Sequence, residues 1–97
     1  STFFLRVSGQ SMTGAGIYDG DLLVVDRSLD PKPGKIVVAI LDGDFTVKQL
    51  TYHHNFPYLE AHNPNYPAID LRKCGDVQIW GVAIYSIHNL QSKSISQ

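Results

Sequence analysis

Cysteine is almost absent, with Cys74 the only one in 97 residues. No disulfide can close within the chain, and a lone thiol suits a reducing compartment, so a cytoplasmic location is expected. Neither charge is in excess: eight Lys and Arg against nine Asp and Glu give a formal net charge of −1. Nothing in that balance would neutralise a phosphate backbone, and direct nucleic-acid binding is not expected. Long apolar runs are missing as well. The longest, Leu22–Val25 and Ile36–Leu41, fall far short of the roughly 20 residues that cross a bilayer. No signal-peptide pattern opens the chain, so no membrane role is expected. His53, His54, His62 and His88 show no metal-ligand spacing and have no cysteine partners. Neither a metal nor another cofactor is expected.

What the chain does contain is an ordinary apolar share, 43%, with 18% charged residues, enough for one folded core and too little polarity for disorder. Gly and Pro punctuate short apolar runs, and no stretch shows a convincing helical period. Strands are expected at Phe3–Ser8, Leu22–Asp26, Lys35–Leu41, Asp44–Thr51, Phe56–Ala61 and Val77–Ile87. Asp42-Gly43 is the favoured pair for a type I′ hairpin turn. The stretch from Gly9 to Gly20 holds four glycines and reads as loop or one tight turn, as do Ser28–Gly34 and Asn63–Pro67. Residues 1–97 thus read as a single mostly-β domain of roughly six or seven strands with little helix. The polar tail from Asn89 to Gln97 is expected to fray. Val77–Ile87 is apolar on both faces of a simple alternation and needs cover on both, from its own domain or a second subunit. A homodimer is expected on that ground, with Trp80 as its buried anchor.

Two residues stand out chemically. Ser11 follows a strand inside a glycine-rich turn, where its hydroxyl is presented and successive backbone N–H groups can converge on an oxyanion. Taken alone, a serine in such a turn is as well explained by structure. Lys48 lies on the returning hairpin strand, on one side with Thr46 and Leu50. Burial there would disfavour its ammonium form. Bringing a lysine from about 10.4 to near 7 takes roughly 4–5 kcal/mol of differential destabilisation. A neutral lysine can then take the proton of a serine hydroxyl. The alternative is an edge-strand lysine that snorkels and blunts aggregation. His62 stays open as a base, Asp19, Asp21 and Asp26 read as turn caps, and Cys74 reads as a packed or turn residue.

The blocks Ser8-Gly9-Gln10-Ser11-Met12 and Gly16-Ile17-Tyr18-Asp19-Gly20-Asp21-Leu22-Leu23-Val24-Val25-Asp26 resemble the LexA/UmuD family of self-cleaving SOS proteins, Ser-Lys peptidases of the S24 type. Gly34–Ala39, followed by Asp42–Leu50, is similar to the family's lysine-bearing hairpin and comes in the family's order. With Asn63–Pro67 and the strand from Val77, the resemblance covers nearly the whole chain. It leans toward the UmuD branch, on Gly20–Asp26 and Phe45–Lys48. The resemblance implies the family's peptidase fold, Ser11 as nucleophile, Lys48 as general base, and the backbone N–H groups of Gln10 and Ser11 as oxyanion hole. It implies cleavage of one Cys-Gly or Ala-Gly bond in the protein's own N-terminal arm, promoted by a RecA filament on single-stranded DNA. The shortened homodimer would then serve a UmuC-type translesion polymerase. Two features depart from the pattern. Position 10 is Gln, whose side chain carries no implication, and only ten residues precede Ser11. Ala15-Gly16 lies just past the serine and does not read as the scissile bond. The chain therefore reads as the processed form, its arm absent. The rival readings are the catalytic domain of a LexA-type or phage repressor, and a non-catalytic binding module with a vestigial Ser-Lys pair.

Overall fold

The computed structural model describes residues 1–91. The strands are β1 (Thr2–Arg6), β2 (Leu22–Asp26), β3 (Ile36–Leu41), β4 (Asp44–His53), β5 (Phe56–Glu60), β6 (Ile69–Asp70) and β7 (Val77–Ile87), with short 3-10 turns at Thr13–Ala15 and Leu71–Lys73. They form one sheet in the order β1-β2-β7-β3-β4-β5-β6, antiparallel at every pairing. The mostly-β reading holds. No helix among the described residues is long and apolar enough to cross a membrane. The tail beyond residue 91, where most of the expected fraying falls, lies outside the described residues.

Two hairpins set the register around β4. At the first, Asp42 and Gly43 both have positive φ (48° and 89°), the twist that a two-residue hairpin demands. The second turn uses His54 and Asn55, also with positive φ (52° and 68°). That turn has no glycine to mark it, so β4 runs on to His53 rather than stopping at Thr51. β6 is only two residues long and was not anticipated.

The last strand, β7, inserts between β2 and β3, and a core cluster on each of its faces explains why its sequence is apolar on both sides. Simple alternation nevertheless misplaces its side chains. Ile79 and Val82 pack against one cluster, and Trp80 and Ala83 against the other. The reason is a bulge: Ala39 pairs with Ile79 but Val38 with Gly81, so Trp80 is an extra residue and the facing switches there. A second register shift, against β2, skips Ile84.

The two clusters lie on opposite sides of β3. Val37 and Ala39 join Leu50, Leu59 and Val82. Val38 joins Leu23 and Val25, which are covered by Val7, Met12 and Ile17 from the connection between β1 and β2. Trp80 completes this second group, edge-on to Phe3 of β1 (5.1 Å between ring centroids) and Phe45 of β4 (5.5 Å). The Arg27 guanidinium lies over the same ring. Trp80 is therefore engaged by its own chain, and one indole meets strands that are four places apart in the sheet order.

Asp21 ties the connection down. It is fully buried and accepts hydrogen bonds from the Tyr18 N–H, the Ser86 hydroxyl and the His88 ring. Burial pushes its carboxyl up, but those bonds outweigh it and hold the group below the usual carboxylate range. Asp26 caps a turn as expected, through the Ser28 N–H; Asp19 instead reaches across the loop to the Gly9 N–H, and Asp21 clamps the loop to the end of β7.

Gly81 tests this packing. A Cβ there would lie 2.6 Å from Val25 Cγ1, inside a core where Val25 is fully buried. Gly81→Ala should destabilise the fold by about 1–3 kcal/mol through overpacking, measured as a lower urea midpoint. An unchanged midpoint would contradict the close approach.

Candidate active site

The first half of the site is made by the chain leaving β1. Val7 still donates to the Asp21 carbonyl and accepts from the Gly20 N–H, in register with β2. Gly9, at φ 95°, then turns the chain, a conformation that a side chain would resist. The 3-10 turn follows, and Met12 drops into the core at 2% exposure. Its neighbour Ser11 is left at the rim, only partly buried. A second segment grips this turn from outside. The His62 N–H donates to the Ser11 carbonyl (2.9 Å), the Gly14 N–H to the His62 carbonyl (2.7 Å), and Asn63 Nδ2 to the Gln10 carbonyl (2.8 Å). A Cβ at Gly14 would sit 2.6 Å from the His62 oxygen, so this approach needs glycine.

The second half comes from β4, whose register sets Lys48 opposite Val37 and Thr46 opposite Ala39. Lys48 is 8% exposed. Its Nζ lies 2.8 Å from Ser11 Oγ, 2.9 Å from Thr46 Oγ1 and 3.1 Å from the Val47 carbonyl oxygen. All three neighbours are uncharged, and among the described residues no carboxylate pairs with it. Desolvation therefore acts unopposed and pushes the amine below an ordinary lysine.

The arrangement serves both protonation states. An ammonium donates three hydrogen bonds, one to each neighbour. A neutral amine keeps two N–H donors, for Thr46 Oγ1 and the Val47 carbonyl, and turns its lone pair to the Ser11 hydroxyl proton. Geometry and electrostatics together suit proton transfer from serine to lysine.

A cavity of about 480 Å³ opens beside this pair, lined by Leu5, Leu23, Val38, Phe45, Val47 and Tyr66 among others. Its β4 wall is an unpaired strand edge, because β5 pairs with β4 only from Gln49 onward. The Leu50 N–H bonds to the Lys35 carbonyl on the β3 side. By alternation Phe45 and Val47 turn their own N–H and C=O outward, toward the cavity side. The backbone N–H groups of Gln10 and Ser11 donate to no acceptor among the described residues.

The remaining candidates lie elsewhere or do other work. The His62 ring bonds to Gln49 Oε1 (2.8 Å), and Lys48 rather than His62 meets the Ser11 hydroxyl. His53 bonds to Glu60, His88 to Asp21, and the Cys74 thiol donates to the Asp70 carbonyl. Two contributors escaped the sequence reading. Thr46 could have been found, since period two sets it beside Lys48; Asn63 could not, since its contact spans two loops.

A serine peptidase-like domain is the class that this fold and site define: residues 1–84 match the Peptidase S24-like family, and the chain belongs to it. Particular relatives sharpen the placement. The chain is 46% identical to protein MucA of Salmonella typhimurium over 90% of its own length and 60% of the relative's. It is 41% identical to protein SamA of the same species, over 95% and 63% of the two chains. Against the LexA repressor of Verrucomicrobium spinosum the identity is 42%, over 84% and 39%. The chain thus spans about three fifths of the length of the MucA and SamA proteins.

The buried amine has a measurable consequence. Its folded-state pKa is depressed, so the unfolded chain holds the Lys48 proton more tightly than the folded one. That cost is present in full below the depressed value and disappears as pH rises toward about 10.4, the ordinary lysine range. Between those limits the parent should gain stability relative to Lys48→Met, read as the pH dependence of the difference in urea midpoints. A difference that stays constant, or moves the other way, would contradict the desolvated amine.

Proposed function

We propose that the protein is the peptidase domain of a UmuD-type SOS protein that cleaves a peptide bond of its own chain. The observation that carries the reading is the 2.8 Å contact between the Ser11 hydroxyl and a buried Lys48 amine that meets no carboxylate among the described residues. Lys48 takes the hydroxyl proton as Ser11 Oγ attacks the scissile carbonyl carbon. Negative charge develops on the carbonyl oxygen, facing the unclaimed N–H groups of Gln10 and Ser11. The C–N bond breaks, the leaving amine receives the proton from Lys48, and the acyl group stays on Ser11. Water, deprotonated by Lys48, hydrolyses that ester and restores the serine. The edge at Phe45 and the Val47 N–H, left unpaired by β5, supports an extended peptide as substrate, since such an edge hydrogen-bonds a backbone laid along it.

The finer assignment rests on likeness. Similarity to MucA and SamA across nine tenths or more of the chain supports a mutagenesis-type role in the cytoplasm. A RecA filament would promote cleavage, and the processed dimer would assist a UmuC-type polymerase. The 42% identity to a LexA repressor supports a second reading, the catalytic domain of a repressor. The homodimer has a surface to use. Phe4, Val24 and Tyr85 share one row across β1, β2 and β7, with Ile87 beside them. Phe4, Tyr85 and Ile87 are 62%, 68% and 53% exposed.

Cleavage of a synthetic extended peptide carrying an Ala-Gly or Cys-Gly bond, supplied in trans, tests the chemistry. The rate should rise with pH as Lys48 loses its proton. Ser11→Ala and Lys48→Ala should each cost about 10³-fold or more, the double variant little further, because the pair acts as a unit. Activity that survives either substitution would refute the assignment, and a parent inactive at every pH would support a vestigial pair. Sedimentation should show a dimer at micromolar concentration, shifted to monomer by Tyr85→Asp. A monomeric parent would remove the dimer from the account.

A further inference from the structure

We propose that Asn63 is a positioning residue for the oxyanion site: by holding the Gln10 carbonyl it aims the Ser11 N–H away from itself and toward the substrate. This rests on the Ser11–Lys48 reading and adds to it a residue on a different segment. Among the described residues no peptide bond is cis, and in a trans peptide the C=O and the following N–H point in opposite directions. Whatever holds the Gln10 oxygen therefore also sets the direction of the Ser11 N–H. Asn63 Nδ2 holds it at 2.8 Å. The only other donor to that oxygen among the described residues, the Thr13 N–H, stands at 3.4 Å, too far to fix the plane by itself.

The Asn63 amide is not free to turn over. Its Oδ1 accepts from the Asn65 N–H at 3.0 Å, so the opposite end, the NH₂, must face Gln10. Its carbonyl accepts from the Tyr66 N–H, and Pro64 stiffens the turn between them. The next peptide plane is held from the same side, through the His62 N–H on the Ser11 carbonyl. His62 is in turn anchored to β4 through Gln49, one residue from Lys48. The segment around 62–66 thus fixes the oxyanion donor against the strand that carries the base. A donor aimed before the reaction costs no reorganisation when charge develops, and that preorganisation is the role assigned to Asn63.

The test compares a peptide boronic acid, which forms a tetrahedral adduct with a nucleophilic serine and places an oxygen in the oxyanion position, with the same peptide lacking the boronate. Asn63→Asp keeps the acceptor for Asn65 but cannot donate to Gln10, so the turn survives while the aim is lost; Asn63→Ala removes both. Boronate affinity should fall about tenfold or more in Asn63→Asp. Affinity for the plain peptide should stay within about twofold, kcat should fall without a change in KM, and the pH midpoint of cleavage should stay put. Equal losses for the two peptides would make Asn63 a purely structural residue and overturn the proposal. Undiminished boronate affinity in Asn63→Asp would overturn it as well. A parent that forms no adduct would sink the Ser11–Lys48 reading itself, whereas an adduct in the parent with either of the previous results sinks only the role of Asn63.

Discussion

An amine held out of water without a counter-charge is the constraint around which this molecule is arranged. A buried ammonium ordinarily demands a carboxylate, because desolvating a charge costs several kcal/mol and an ion pair returns part of it. Lys48 has only a serine hydroxyl, a threonine hydroxyl and a peptide carbonyl. Those groups satisfy its hydrogen-bonding capacity in either protonation state but hold the proton far less firmly than a carboxylate would. The result is a site that sacrifices some stability for reactivity, as active sites tend to do.

Keeping the amine there requires the rest of the fold. β4 is pinned by β3 on one side and, past Gln49, by β5 on the other, so Lys48 stands where the second pairing has just ended. β3 is in turn locked by β7, which lies between it and β2. Trp80, meeting both Phe3 and Phe45, links the outer strand β1 to the strand that carries the base. Ser11 reaches the same point by a separate route, from β1 through a turn seated by Met12 and gripped by His62 and Asn63. Two segments far apart in sequence thus arrive at one contact because each is fixed independently.

Much of this is legible in the sequence, and the exceptions have physical causes. Asp42-Gly43 announced its hairpin because glycine accepts the positive φ that the turn needs. His54-Asn55 makes the same turn with residues that carry no such mark. The ends of β7 are marked in the sequence, while its facing is not, because a bulge at Trp80 depends on cross-strand partners and leaves no period of its own. Trp80 accordingly packs against its own chain, while Phe4 and Tyr85 lie more exposed. At the site, Ser11 and Lys48 stood out by residue type, by their strand and turn contexts, and by resemblance. Thr46 was within reach of alternation, which sets it beside Lys48, but residue type gave it no role. Asn63 and the His62 backbone could not be foreseen, since a loop-to-loop contact is encoded by the whole fold and by no local pattern.

The most direct test of the central claim is the titration of the Lys48 side chain itself, followed by NMR at its Cε. The expected result is a midpoint well below about 10.4, the ordinary lysine value, coinciding with the midpoint of the cleavage rate. A Lys48 that titrates like a solvent-exposed lysine would contradict the account, because an amine that keeps its proton cannot take one from Ser11.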